Sequence, residues 1–138
     1  MISEDMKQVI RQLMHTERDW ALKRHAHFRS MHEGYAVALE EFDEAMDEIQ
    51  KLETGIPELW EMVKDDATPF TYLRKLDELR ETTVQAIAEL TQLGAMLEKM
   101  DDFLRYSDAD SYKSAKEALD DIGKAVEVLG KKPRRFCK

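Results

Sequence analysis

Apolar residues recur at intervals of three and four along almost the whole chain, the period of a helix with one buried face. Met6, Val9, Ile10, Leu13, Met14 and Trp20 mark a first helix from Ser3, a plausible N-cap, into the low twenties. The basic and aromatic run Lys23–Phe28 reads as a bend or loop. Ser30 opens a second helix with Glu33 three residues later, the spacing of a capping box. Tyr35, Ala38, Leu39, Phe42, Met46, Ile49 and Leu52 form its expected buried stripe, and Gly55-Ile56-Pro57 its expected end. A short helical turn with Leu59, Trp60 and Val63 follows.

Thr68-Pro69 combines a capping hydroxyl with proline at the first helical position. The stripe Leu73, Leu76, Leu79, Thr83, Ile87, Leu90, Gly94, Leu97 and Leu104 meets no breaker before Ser107, so one helix of roughly 35 residues is expected. Gly94 inside it costs about 1 kcal/mol against alanine, which points to close approach by a neighbouring helix. Asp108 or Asp110 can cap a last helix, with Ala115, Leu119, Ile122, Val126 and Leu129 inward and Gly130 past its end. No stretch sustains the alternation of a strand. The expectation is an all-α bundle of four to five helices, a single domain over residues 1–130.

Composition narrows the class. The 138 residues are 43% apolar and 36% charged, and no apolar run approaches the ~20 residues of a membrane span. The N-terminus lacks a secretion signal, and the lone Cys137 suits a reducing, cytoplasmic setting. The net charge of −8 conceals a more acidic body. Five basic residues lie in the tail 131–138, leaving 16 basic against 29 acidic side chains, a net of −13, in residues 1–130. That body repels a nucleic-acid backbone. The tail reads as a disordered, solubilising end in preference to an anion-binding one.

The acidic residues supply the candidate chemistry. Glu41 and Glu44, three apart, can aim two carboxylates at one point from the second helix. Glu89 and Gln92 can offer a carboxylate and an amide from the third. If the two helices pack face to face, the shared point suits a hard divalent cation. Charge runs usually just solvate an exposed face. Here, however, Glu41 and Glu44 flank Phe42 and border the apolar stripe, and no lysine relieves their mutual repulsion.

The segment His27-Phe28-Arg29-Ser30-Met31-His32-Glu33-Gly34-Tyr35-Ala36-Val37, leading to Glu40-Glu41-Phe42-Asp43-Glu44, resembles the MazG-like all-α nucleotide pyrophosphohydrolases of phages and prophages. Those proteins carry F-x-S-x-H-E-G-Y-A-V before an E-E-x-x-E motif. Glu89-Leu90-Thr91-Gln92-Leu93-Gly94-Ala95-Met96 is similar to their E-A-I-Q-V-A-A-M segment, and Trp60–Asp66 to a W-x-x-V-K-x-D stretch of the longer members. The resemblance spans roughly residues 10–105 and leaves the last helix and tail without counterpart.

That resemblance implies a Mg²⁺-dependent enzyme, with Mn²⁺ as a substitute, that splits a nucleoside triphosphate into monophosphate and pyrophosphate. Glu41 and Glu44 take the catalytic and metal-binding positions of the first motif, and Glu89 and Gln92 complete the metal set. Gln92 stands where an E-x-x-D motif has its aspartate, so one charge is missing. The resemblance also implies a homodimer or homotetramer. Lys23 and Arg24 are weaker candidates for a substrate phosphate. Glu78 and Glu81 offer a competing E-x-x-E, ranked second because no Ala-Met pattern follows. His25, His27 and His32 lack a zinc-ligand spacing. Trp20, Phe28 and Tyr35 could stack on a base, but aromatics at helical spacing usually belong to the core. The alternative function is a non-catalytic helical protein for oligomerisation or partner binding, which Gln92 favours.

Overall fold

In the computed structural model four helices account for the fold: α1 (Glu4–Arg24), α2 (Met31–Lys64), α3 (Pro69–Ser107) and α4 (Ala109–Lys131). The structure describes residues 1–107 and 109–131, the side chains of 107, 109–115 and 131 apart. No strand occurs among the described residues, and no helix is long and apolar enough to cross a membrane. The chain divides into two compact units, Met1–Asp101 and Asp102–Lys138.

Side-chain oxygens set the helix starts. Ser3 Oγ accepts from Met6 N at 3.2 Å, and Ser30 Oγ from Glu33 N at 3.1 Å. Glu33 reaches back to the Arg29 backbone N–H (2.8 Å), one residue earlier than a standard capping box. Thr68 Oγ1 caps α3 above Pro69 by accepting from Thr71 N at 3.4 Å. Lys23 and Arg24, expected in a loop, form the last turn of α1, where cations suit the helix dipole.

Helix α2 runs through Gly55-Ile56-Pro57 instead of ending there. Pro57 is exposed, so water can satisfy the carbonyl its missing N–H leaves free. The true stop comes at Asp65. Asp66 N–H donates to the Val63 carbonyl and Ala67 N–H to that of Met62, a Schellman arrangement with Asp66 in the left-handed region at φ 51°.

Helices α2 and α3 form an antiparallel hairpin, with Gly34 facing Met100, Gly55 facing Leu79, and Glu58 paired with Lys75. The seam on α2 follows residues 34, 38, 41, 45, 48, 52 and 55; on α3 it follows 75, 79, 82, 86, 89, 93, 96 and 100. Every one of these positions is buried or half-buried. Both rows step by alternating fours and threes, the heptad spacing of a coiled-coil seam. Glycine and alanine dominate the α2 row, so the rods approach closely: a Cβ on Gly34 would lie 2.7 Å from Met100 Cγ and 3.2 Å from Phe28 Cδ2.

The expected stripes therefore need correction. Tyr35, Leu39 and Phe42 on α2, and Leu73, Leu76, Ile87, Leu90, Leu97 and Leu104 on α3, are exposed, whereas Ala38 and Leu79 are buried. Large apolar residues flank a seam whose α2 side is built mostly from small ones. Helix α1 docks on α3 by laying Met14 over Gly94, where an added Cβ would meet Met14 Sδ at 2.6 Å. His15 and Arg18 both reach Glu98, at 2.8 and 3.5 Å. Met6, Val9, Leu13 and Trp20 of α1 remain exposed.

In the second unit, Leu119, Ile122, Val126 and Leu129 are exposed, not inward as expected. Gly130 and Asp110 lie inside α4 instead of bounding it. The candidate cap Asp108, the side chain of Ala115 and tail residues 132–138 lie outside the described set.

Candidate metal centre and adjoining cavity

Three seam positions, Glu41 and Glu48 on α2 and Glu89 on α3, carry carboxylates where a coiled coil would place apolar side chains. Glu41 on α2 and Glu89 on α3 are both half-buried in the seam, and Glu44 lies one turn beyond Glu41 on the exposed flank. Ligand oxygens of the three lie within 4.8 Å of one another. Burial raises the Glu41 carboxyl above its ordinary value of 4.5, and the charges of Glu44, Glu89 and Glu40 push it further. Burial likewise raises Glu89, with help from Glu44, both as a charge and as a hydrogen-bond partner, and from the charge of Glu48. Half-buried carboxylates that hold their protons this way are relieved by a cation.

Gln92, one turn past Glu89, turns its amide nitrogen to Glu17 Oε2 of α1 at 2.7 Å. That bond leaves the amide carbonyl as the free acceptor. Glu78 lies in ion-pair range of Lys75 (3.4 Å), and no three-acid cluster among the described residues includes Glu78 or Glu81. No histidine joins the described cluster either.

Two clefts meet at this point. A cavity of about 760 Å³ is enclosed by the end of α1, the 25–29 connection, and the facing rows of α2 and α3. Glu41 and Gln92 line its inner end. Arg24 also lines it, its guanidinium 3.9 Å above the Trp20 ring; Lys23 does not. Phe28 is a core residue, while Trp20 and Tyr35 are exposed. On the other side a groove of about 720 Å³ is lined by Glu44, Asp47, Glu48, Glu58, Glu78 and Glu89 and by Lys51, while the buried Lys75 pairs with Glu58 and Glu78.

Three participants escaped the sequence reading: Glu17, Glu33 as a cavity wall, and Lys99. Lys99 occupies the same α3 face as Glu89, Gln92 and Met96, so the row itself was the available signal. Comparisons with protein-family models, with curated proteins and with solved structures find no match.

Proposed function

We propose that this protein is a divalent-cation-dependent nucleoside triphosphate pyrophosphohydrolase of the MazG-like kind. The supporting observation is the meeting of Glu41, Glu44 and Glu89 at the junction of an acidic groove and a cavity bearing aromatic and cationic groups. The cavity volume falls within the range of small-molecule sites, about 300–1,000 Å³. An all-oxygen, carboxylate-rich donor set fits Mg²⁺ or Mn²⁺ better than zinc.

Glu41, Glu44 and Glu89 would hold the cation, and Gln92, its amide nitrogen engaged by Glu17, would offer a neutral carbonyl as fourth ligand. When bound, such a cation offsets phosphate charge and acidifies water. Glu41 alone of the three lines the cavity, which suits it to take the proton of the attacking water. The water oxygen bonds to the α-phosphorus, the bond to the bridging oxygen breaks, and pyrophosphate leaves with the electron pair. Arg24 sets positive charge against the anion from the cavity wall.

The test is pyrophosphate release from a panel of nucleoside triphosphates with Mg²⁺ or Mn²⁺. Turnover that vanishes in Glu41→Ala and Glu44→Ala supports the reading. Gln92→Asp should raise metal affinity by restoring the missing charge. No turnover with any nucleotide, together with unchanged assembly in both alanine variants, favours the second reading: a non-catalytic helical protein that oligomerises or binds a partner. The exposed apolar rows of α2 and α3 are the observation behind that second reading. They also suit a homodimer or homotetramer in the enzymatic one, which sedimentation would detect.

A further inference from the structure

The cavity has two ends, and they differ in chemistry. Lys99 lies ten residues beyond Glu89 on the same α3 face, about 15 Å along the axis at 1.5 Å per residue. On α2, Glu33 lies eight residues before Glu41, about 12 Å by the same rise. Lys99 and Glu33 both line the cavity, at the end away from the carboxylate cluster. A nucleotide whose phosphates are held at the cluster therefore extends its base, not its phosphates, toward Lys99.

Lys99 is unusual for a lysine. The residue is only 4% exposed, and its ammonium sits 4.3 Å from the centroid of Phe28, itself 6% exposed. Its ammonium faces that ring and lies in the field of the Glu33 carboxylate. Burial draws its pKa below the ordinary lysine value, and Glu33 opposes the shift. An ammonium has three N–H donors and no acceptor. The aromatic face attracts its charge but supplies no oxygen for those donors. Once a ligand excludes water from this end, the donors need an acceptor from the ligand, and a second donor pressed against them is penalised.

Bases divide on this point. Guanine, hypoxanthine, uracil and thymine carry an exocyclic carbonyl on the edge far from the sugar. Adenine and cytosine carry an amino group there. We propose that Lys99 reads that edge, so that the cavity selects nucleotides with a carbonyl-bearing base over those with an amino-bearing base. Glu33 discriminates less. Its side chain is 40% exposed and one oxygen is held by the Arg29 backbone N–H, so water can stand in for a ligand group there. The inference rests on the nucleotide reading of the site given above and adds the substrate class to it.

Inosine and adenosine nucleotides differ as purines in this carbonyl–amino pair, and UTP and CTP repeat the contrast in pyrimidines. Turnover of the four triphosphates with Mg²⁺ is measured alongside calorimetric binding of IMP and AMP. The expected result is a preference of about ten-fold or more for ITP over ATP and UTP over CTP, the scale of one hydrogen bond to a charged group. The ratios should fall toward one in Lys99→Met and persist in Lys99→Arg, with the change appearing mainly in KM. Equal use of ITP and ATP by the unmutated protein overturns the base assignment and leaves the pyrophosphohydrolase reading standing. Ratios that survive in Lys99→Met overturn the role of Lys99. If no triphosphate turns over but IMP binds more tightly than AMP in a Lys99-dependent way, the enzymatic reading falls and the base subsite stands. Neither turnover nor an IMP–AMP difference removes both.

Discussion

The two clefts flanking the carboxylate cluster share the same pair of helices yet present opposite chemistry. The cavity carries Arg24, Arg29 and Lys99 against Glu33 and Glu41. The groove carries six carboxylates against Lys51, two of them, Glu58 and Glu78, also paired with the buried Lys75. A cation is drawn to the groove and an anion to the cavity, and the cluster is where the two would meet. Segregating charge on either side of one seam lets a very acidic protein offer an anion a favourable approach.

The largest effect expected from breaking this contrast comes from Glu41, which faces the cavity. Glu41→Gln should lower kcat by about 10²–10⁴-fold, the usual worth of a positioned base. Glu78→Gln, in the groove but outside the cluster, should change kcat by no more than ~3-fold. Steady-state kinetics of both variants would decide, and equal losses would erase the distinction between the clefts.

Protonation offers the next test. Glu41 and Glu89 have folded-state pKa values raised above 4.5, so the folded protein keeps protons that the unfolded chain has already released. Stability of the metal-free protein should therefore fall as pH rises from below 4.5 through the raised values, then level off. Mn²⁺ should raise the melting temperature at neutral pH and have little effect in acid. Glu89→Gln should flatten the slope and stabilise the metal-free protein at pH 7. Urea denaturation across pH measures the slope and the variant, thermal melts with and without Mn²⁺ the metal effect, and a rising slope over the same window would contradict the assignment.

Smaller effects probe the seam common to both clefts. Gly34→Ala should destabilise by about 1–3 kcal/mol through overpacking, offset in part by about 1 kcal/mol of helix propensity, because Phe28 and the inner Met100 Cγ stand in the way. Gly94→Ala meets three Met14 atoms within 3.0 Å, Cγ among them at 2.8 Å, and should cost a similar amount. Away from both clefts, Asp66→Gly should stabilise by roughly 0.5–1 kcal/mol, since glycine adopts the left-handed backbone of that cap without steric penalty. Chemical denaturation ranks the three.

Helix boundaries were legible wherever a hydroxyl makes the cap, as at Ser3, Ser30 and Thr68. The α2 terminus was not, because Gly55 serves the close contact with Leu79 instead of a turn, and Pro57 faces solvent. The all-α class followed from periodicity, but the buried row did not. Hydrophobic size points to Leu76, Ile87 and Leu90, which are exposed, as well as to Leu52 and Leu79, which lie on the seam. On the α2 side, by contrast, small residues choose the row by letting the backbones approach. The convergence of Glu41, Glu44 and Glu89 could be read from spacing because helical faces are periodic. The bond between Gln92 and Glu17 joins residues 75 apart, beyond what local pattern can reveal. Lys99 escaped notice because a lysine in a charged sequence is ordinarily solvated.

The glycine and alanine seam has one more consequence. Since the small residues of α2 set how closely Leu79 and Met100 of α3 can approach, the placement of the acids depends on this inner row more than on the bulky groups outside. Leucines and aromatics on the outer rows are thus free to be exchanged, retuning which surfaces adhere to which, while the inner chemistry keeps its dimensions. Association and reactivity can drift independently in a chain only 138 residues long.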